Sequence, residues 1–250
     1  MSYVFKERAA PSEWPEFKRR APHKILTPFY AVSWLADWAA YFLAKWPVVE
    51  LLEYLGSFSI LFAAIVYFAG APDRLKQKHY QAWQVINTAQ GKGGSGGRIE
   101  ALQELNADHV ALVGVDVSGA FLQGIRLSGA KLLRSNFSAT DSRGADFRHA
   151  DFTDANLSSA NFRESNFYKA WLQGAQVNDA DLFGADLTEA NLAGANLANA
   201  DLRDANLSNI RWREIANLKM ANINGVKNAP EGFVSWALKN GAVTTEPSPE

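Results

Sequence analysis

Ala180-Asp181-Leu182-Phe183-Gly184-Ala185-Asp186-Leu187-Thr188-Glu189-Ala190-Asn191-Leu192-Ala193-Gly194-Ala195-Asn196-Leu197-Ala198-Asn199-Ala200-Asp201-Leu202 repeats a single five-residue unit. The unit is a small residue, then Asp or Asn, then Leu or Phe, then two polar or small residues. It recurs twenty-one times in unbroken phase between Leu112 and Trp212. A period of five fits neither a 3.6-residue helix nor a period-two strand. Self-similarity at a fixed short period marks a solenoid, in which each unit buries its apolar side only by stacking on its neighbours. Departures from the pattern are few. Ser142 takes an apolar slot, Val110, Val115, Ile125 and Ile210 stand where a small residue is usual, and Val117 and Val177 replace leucine.

Working outward, the repeats have a cover at each end. Ile99, Leu102 and Leu105 are spaced by three and predict a short helix over Arg98–Leu105 that covers the first rung. At the far end Ala216-Asn217-Leu218 and Ala221-Asn222-Ile223 resume the pattern one residue out of phase. Pro230 then opens a helix carrying Phe233, Val234, Trp236, Ala237 and Leu238, closing near Gly241. The repeat domain thus reads as 98–242, with 243–250 a disordered tail. Upstream, Gly91 to Gly97 holds five glycines in seven residues and reads as a flexible linker. It lacks the strand and the Lys-Ser/Thr pair of a phosphate loop. Residues 73–90 read as a polar helix.

The N-terminal quarter has a different chemistry. From Tyr54 to Pro72 there is no charge, and Leu55, Phe58, Ile60, Leu61, Phe62, Ile65, Val66 and Phe68 contribute roughly 3–4 kcal/mol towards bilayer insertion. Ile25 to Trp46 is a weaker segment, because Asp37 near its centre opposes about 3 kcal/mol of apolar gain. Residues 25–72 therefore read as one or two membrane helices. Tyr30, Trp34, Trp38, Tyr41 and Trp46 suit a headgroup belt. Asp37 shares a helical stripe with Tyr30, Ser33 and Tyr41, which makes it the candidate polar site in the membrane, read either as a polar face satisfied at an interface or as part of a water path. Residues 1–24 are polar and basic, with Lys6, Arg8, Lys18, Arg19, Arg20 and Lys24, so the apolar run starts too late for a signal peptide. Cations at both outer flanks predict a helical hairpin with the repeats in the cytoplasm. Gly56, Ala63 and Gly70, with Ser59 beside them, allow close helix approach and self-association. A buried hydrophobic helical domain is the competing reading.

Composition narrows function further. The net charge is -1 over 250 residues, so nucleic acid is not expected as a partner. Cysteine is absent, which excludes disulfides and thiolate chemistry. His23, His79, His109 and His149 lie far apart and give no metal motif. Asp and Ser recur with the repeat on an open convex surface, whereas general acid–base chemistry needs a cleft. No enzyme, cofactor or metal is expected.

The Ala-(Asp/Asn)-Leu-x-x pattern, from Leu112 to about Ile223, resembles the pentapeptide-repeat family. The resemblance implies an all-β solenoid: a right-handed quadrilateral β-helix with four units per coil, the small residue and the Leu or Phe pointing inward. With helical caps it is a rod of six coils, roughly 28 Å long at the ~4.8 Å strand spacing, joined to an N-terminal α-helical membrane hairpin. Positions twenty apart then stack, so Asp141, Asn161, Asp181 and Asp201 run beside Arg143, Arg163, Phe183 and Arg203. Some members of the family inhibit DNA gyrase by imitating DNA. Here Asp179, Asp181, Asp186, Glu189, Asp201 and Asp204 are acidic, but Arg126, Lys131, Arg134, Arg143 and Arg148 make the lower rungs basic. Tyr168 and Trp171 should face outward on either side of one corner, and with Phe183 they are the candidate partner-binding residues. The expected function is a membrane-anchored, non-catalytic scaffold that presents a rigid rod to protein partners, with further copies able to join through the membrane helices or the C-terminal cap. The alternatives are a DNA-mimic inhibitor of a topoisomerase, and a subunit of a small channel or transport assembly built around Asp37.

Overall fold

The computed structural model describes residues 9–20, 27–88 and 95–246, in two compact units, Met1–Arg74 and Leu75–Glu250. The larger unit is the repeat rod. Each outward Asp, Asn or equivalent bridges in parallel to the residue twenty positions on, from Asp116–Asn136 through to Asn191–Arg211. Twenty residues per coil means four five-residue units per coil, as expected. The strands shrink to isolated one-residue bridges, because a corner follows every bridge. At each corner the backbone folds back through an i to i+3 bond, such as Ala120 N–H to the Val117 carbonyl at 3.0 Å. The third turn residue carries a positive φ, for example 64° at Gly119 and 58° at His149, the geometry of a type II turn.

That turn explains why the unit needs Asp or Asn. The Oδ1 of Asp151 accepts the Thr153 N–H at 3.0 Å, and those of Asn166, Asp181 and Asn196 likewise accept the N–H two residues on. The side chain closes a local Asx turn and satisfies a backbone donor that the corner would otherwise strand. Coils are joined by bonds such as Asp141 N–H to the Ala120 carbonyl at 2.9 Å.

Two of every five side chains point inward and form one continuous core. Phe137, Phe147, Phe152, Phe162 and Phe167 are fully buried, with ring centroids 5.1–6.0 Å apart. Ser142, the polar residue in an apolar slot, is fully buried. Its hydroxyl donates to Thr140 Oγ1 at 3.2 Å, and its carbonyl accepts from Ser165 Oγ at 2.8 Å. Thr140 Oγ1 in turn donates to the Phe137 carbonyl at 2.8 Å.

The caps are fuller than expected. Helix α5 (Arg98–Ala107) buries Leu102 and Leu105 over the first coil. Helix α4 (Ala71–Thr88) joins it: Ala82 and Ile86 are buried in the same core, and Lys78 and His79 bond Asp108 at 3.3 and 2.9 Å. The compact units accordingly divide at Arg74/Leu75, upstream of the glycine-rich stretch read as the boundary; of that stretch, residues 91–94 lie outside the described residues. At the other end helix α6 (Phe233–Lys239) buries Phe233 and Ala237. The tail expected to be disordered from 243 begins as a paired strand: Val243 bridges Asn222, and Thr245 N–H reaches the Asn222 Oδ1. Residues 247–250 lie outside the described set.

In the smaller unit, α1 (Trp14–Arg20), α2 (Thr27–Ala44) and α3 (Pro47–Ala69) are helical. Pro47 at the first helical position and Gly70 at the end bound α3. Trp14 of α1 lies on Trp34 of α2 at 5.4 Å, and Trp34 Nε1 donates to the Ser12 carbonyl at 2.8 Å. The aromatic series expected at a headgroup belt thus makes a ring ladder, Trp34–Trp38–Tyr41, with α1 covering its start. Among the described residues, α3 does not pack on α2 as a closed hairpin needs. Among them too, no single helix is long and apolar enough to cross a membrane; the pair Phe58–Ala69 and Ala71–Thr88 meets that measure together. The second member of the pair carries Ala82 and Ile86, which the rod core uses. The cations Lys6, Arg8 and Lys24, with Ile25 and Leu26, lie outside the described residues.

Candidate interaction surfaces

The rod presents three outward features. The first is the paired-charge face. Arg143 makes two 2.8 Å bonds to Asp141, Arg203 is bidentate on Asp201, and Arg163 reaches Asp181 in the next coil at 3.1 Å. Hydrogen bonds from Arg143 and Arg148 hold the Asp141 and Asp146 carboxyls below the usual carboxylate range. Burial pushes Asp201 up, but the bonds from Arg203 outweigh it and leave it lowered. These carboxylates stay ionised in mild acid, so their pairs persist and are lost only as pH falls through the depressed values. The acid ladder is therefore neutralised by the base ladder two residues along, as the stacking predicted. Phe183 lies between Arg163 and Arg203, its ring centroid 4.3 and 5.7 Å from the two guanidinium carbons. It is half-buried beneath its own cations rather than free.

The second feature is Tyr168. It is half-buried, with its hydroxyl 3.4 Å from Glu189 Oε1, the His149 ring edge-on at 5.4 Å and Lys169 over its ring at 5.0 Å. Lys169 in turn pairs with Glu189 at 3.4 Å. The structure does not join this cluster to Trp171 by a ring contact.

The third is the Trp171 face. Trp171 is 52% exposed and bridges Asn191 in the next coil, which bridges Arg211 in the one after. Here the coil is interrupted. Leu192 N–H still bonds the Arg211 carbonyl at 3.0 Å, but Gly194 N–H bonds that of Glu214 at 2.6 Å, one residue later than the repeat dictates. Subsequent bridges run twenty-one apart, as in Asn196–Asn217. The one-residue slip expected near Ala216 is a bulged six-residue unit, Arg211–Ala216, after which the N–H groups of Ala216 and Asn217 both reach the Ala195 carbonyl, at 3.0 and 3.4 Å. Trp212 occupies the inward slot and leans on Phe233 and Trp236 of α6 at 5.7 and 5.1 Å. The bulge walls a pocket of about 320 Å³ lined by Asn191, Ala193, Ile210, Arg211, Trp212, Arg213 and Glu214. Sequence reasoning found Trp171 but missed this pocket; the loss of phase between Trp212 and Ala216 was the signal.

Asp37 is exposed on α2. Among the described residues, no three His, Asp or Glu side chains gather as metal ligands.

The pentapeptide-repeats family model matches residues 112–141, 143–179 and 180–211, in eight copies. The match breaks at Ser142, the polar inward residue, and stops at Arg211, where the six-residue unit begins. The matched stretch is similar to the pentapeptide-repeat family, and its twenty-residue bridging makes it a four-sided solenoid. Among solved structures, the chain is similar to a pentapeptide repeat protein of the Arabidopsis thaliana thylakoid lumen, at 27% identity over 50% of this chain and 80% of that one, TM-score 0.37. It is similar to Rfr23 of the cyanobacterium Cyanothece 51142, at 30% identity over 43% and 64%, TM-score 0.28. It is also similar to QnrB1, a plasmid-mediated fluoroquinolone resistance protein, at 25% identity over 50% and 69%, TM-score 0.31. No curated protein matches the chain.

Proposed function

We propose that this protein is a non-catalytic interaction scaffold, a pentapeptide-repeat rod attached to a membrane by its N-terminal helices. The observation that carries the membrane half is the exposure of α2 and α3. Phe58, Leu61, Phe62, Ile65, Val66 and Phe68 on α3, and Phe29, Val32, Leu35 and Phe42 on α2, each stand more than half exposed. A helix apolar on all sides needs a cover, and lipid supplies one without a specific partner. Cations before α2 (Lys18, Arg19) and after α3 (Arg74, Lys76) support a cytoplasmic rod. The interaction half rests on the rod's open surface. Its aspartates serve backbone turns and arginine pairs, which leaves little of the continuous acidic field that imitation of DNA requires.

Flotation with phospholipid vesicles tests the attachment. The full chain should rise with the lipid, and Leu61→Arg with Ile65→Arg should leave it in the aqueous fraction, because each arginine at bilayer depth costs about 2.5–3.5 kcal/mol. A double variant that still floats would mean that α3 is not the attachment.

A further inference from the structure

We propose that the depression beside Trp171, walled by the Arg211–Glu214 bulge, binds a short acidic segment of a partner protein. Its carboxylates would be taken by Arg211 and Arg213, and an apolar neighbour would lie on Trp171. This rests on the scaffold reading and names the partner chemistry for one face of the rod.

Three observations converge. Four arginines of the rod are spent on carboxylates, Arg143 on Asp141, Arg148 on Asp146, Arg163 on Asp181 and Arg203 on Asp201, whereas Arg126 and Arg134 in the lower coils make no ion pair with a described carboxylate. Arg211 and Arg213 are exposed and make no ion pair with a described carboxylate; Arg213 instead stands 5.5 Å from the Trp212 ring centroid. The pocket therefore offers two free guanidinium groups against the single carboxylate of Glu214, a net positive site suited to bidentate carboxylate recognition.

The floor is the second. Asn191 is 7% exposed, where the other outward Asp and Asn positions of the repeats are exposed or half-buried. Its Oδ1 accepts the Ala193 N–H at 3.2 Å. In neighbouring units the asparagine amide donates to the coil below, as Asn196 does to Gln176 at 3.1 Å and Asn206 to Asp186 at 3.2 Å. Below Asn191 stands Trp171, whose side chain has no acceptor, so the amide donor remains for a ligand.

The third is shape. Ala193 leaves the wall beside Asn191 nearly bare, so an extended chain can approach the coil; Trp171, one coil below Asn191 and outside the pocket lining, is half exposed and offers an aromatic anchor next to it.

The probe is a fluorescein-labelled octapeptide alternating glutamate and leucine, with the glutamine-for-glutamate peptide as its control. Binding is read by anisotropy on the full chain in detergent. The acidic peptide should bind, and Arg211→Gln with Arg213→Gln should weaken it by about tenfold or more, the scale of one charge-assisted contact. Trp171→Ala should also weaken it. Arg126→Gln with Arg134→Gln removes the same charge from lower coils and should leave affinity unchanged. Equal binding of the glutamine peptide, equal loss in the lower-coil variant, or no binding of the acidic peptide overturns the inference. None of these results touches the scaffold reading, which the recovery of membrane partners decides separately.

Discussion

Replacing Phe147 by alanine is expected to destabilise the rod by about 3–5 kcal/mol, the usual range for deleting a fully buried phenyl group. Phe147 lies against four other buried rings, stacked on Phe167 at 5.2 Å and edge-on to Phe137, Phe152 and Phe162 at 5.1–6.0 Å. A solenoid has no second layer to close over the cavity, and each coil is held only by its neighbours. The loss should therefore appear in urea unfolding as a lower midpoint for the whole rod. Phe183→Ala is the contrast. That ring is half-buried among arginines on the surface, so its removal should change stability by about 1 kcal/mol or less. Equal effects at the two positions would contradict the assignment of inward and outward faces.

The second large effect is expected at Ile86, twelve residues before the first residue of α5. Ile86→Ala should cost about 2–5 kcal/mol of rod stability, because Ile86 is fully buried in the core shared with Leu102 and Leu105. Leu75→Ala, on the same helix but 46% exposed, should stay within about 0.5 kcal/mol. If Ile86→Ala is equally silent, α4 is not part of the cap, and the boundary returns to the glycine-rich stretch.

Much of the rod was legible because the repeat writes its geometry into every fifth residue. The phase placed the inward residues, the four-unit coil followed from the family resemblance, and stacking at twenty residues foretold the pairing of Asp141 with Arg143 and Asp201 with Arg203. What escaped the reading depends on contacts between units that are not neighbours in the pattern. Ile86 stood out as apolar in the polar helix 73–90, with Leu75 and Trp83, but nothing in the sequence said that it and Ala82, four residues before it, pack into the rod core. Val243 looked like a tail because one residue carries no period, yet the Asn222 backbone awaits a strand. Phe183 read as an exposed anchor although the twenty-residue stack already set it between Arg163 and Arg203; what the stack did not give is that both guanidinium groups close over the ring. The pocket beside Trp171 arises where the repeat fails, and a broken period says that something differs there without giving its shape.

The measurement that bears most directly on the central claim is crosslinking and affinity capture from native membranes, comparing the full chain with the same chain carrying Trp171→Ala, Arg211→Gln and Arg213→Gln. An interaction scaffold predicts discrete protein partners captured by the full chain, with at least one lost from the triple variant. A chain that crosslinks to no protein, while folded and membrane-bound, would contradict the account.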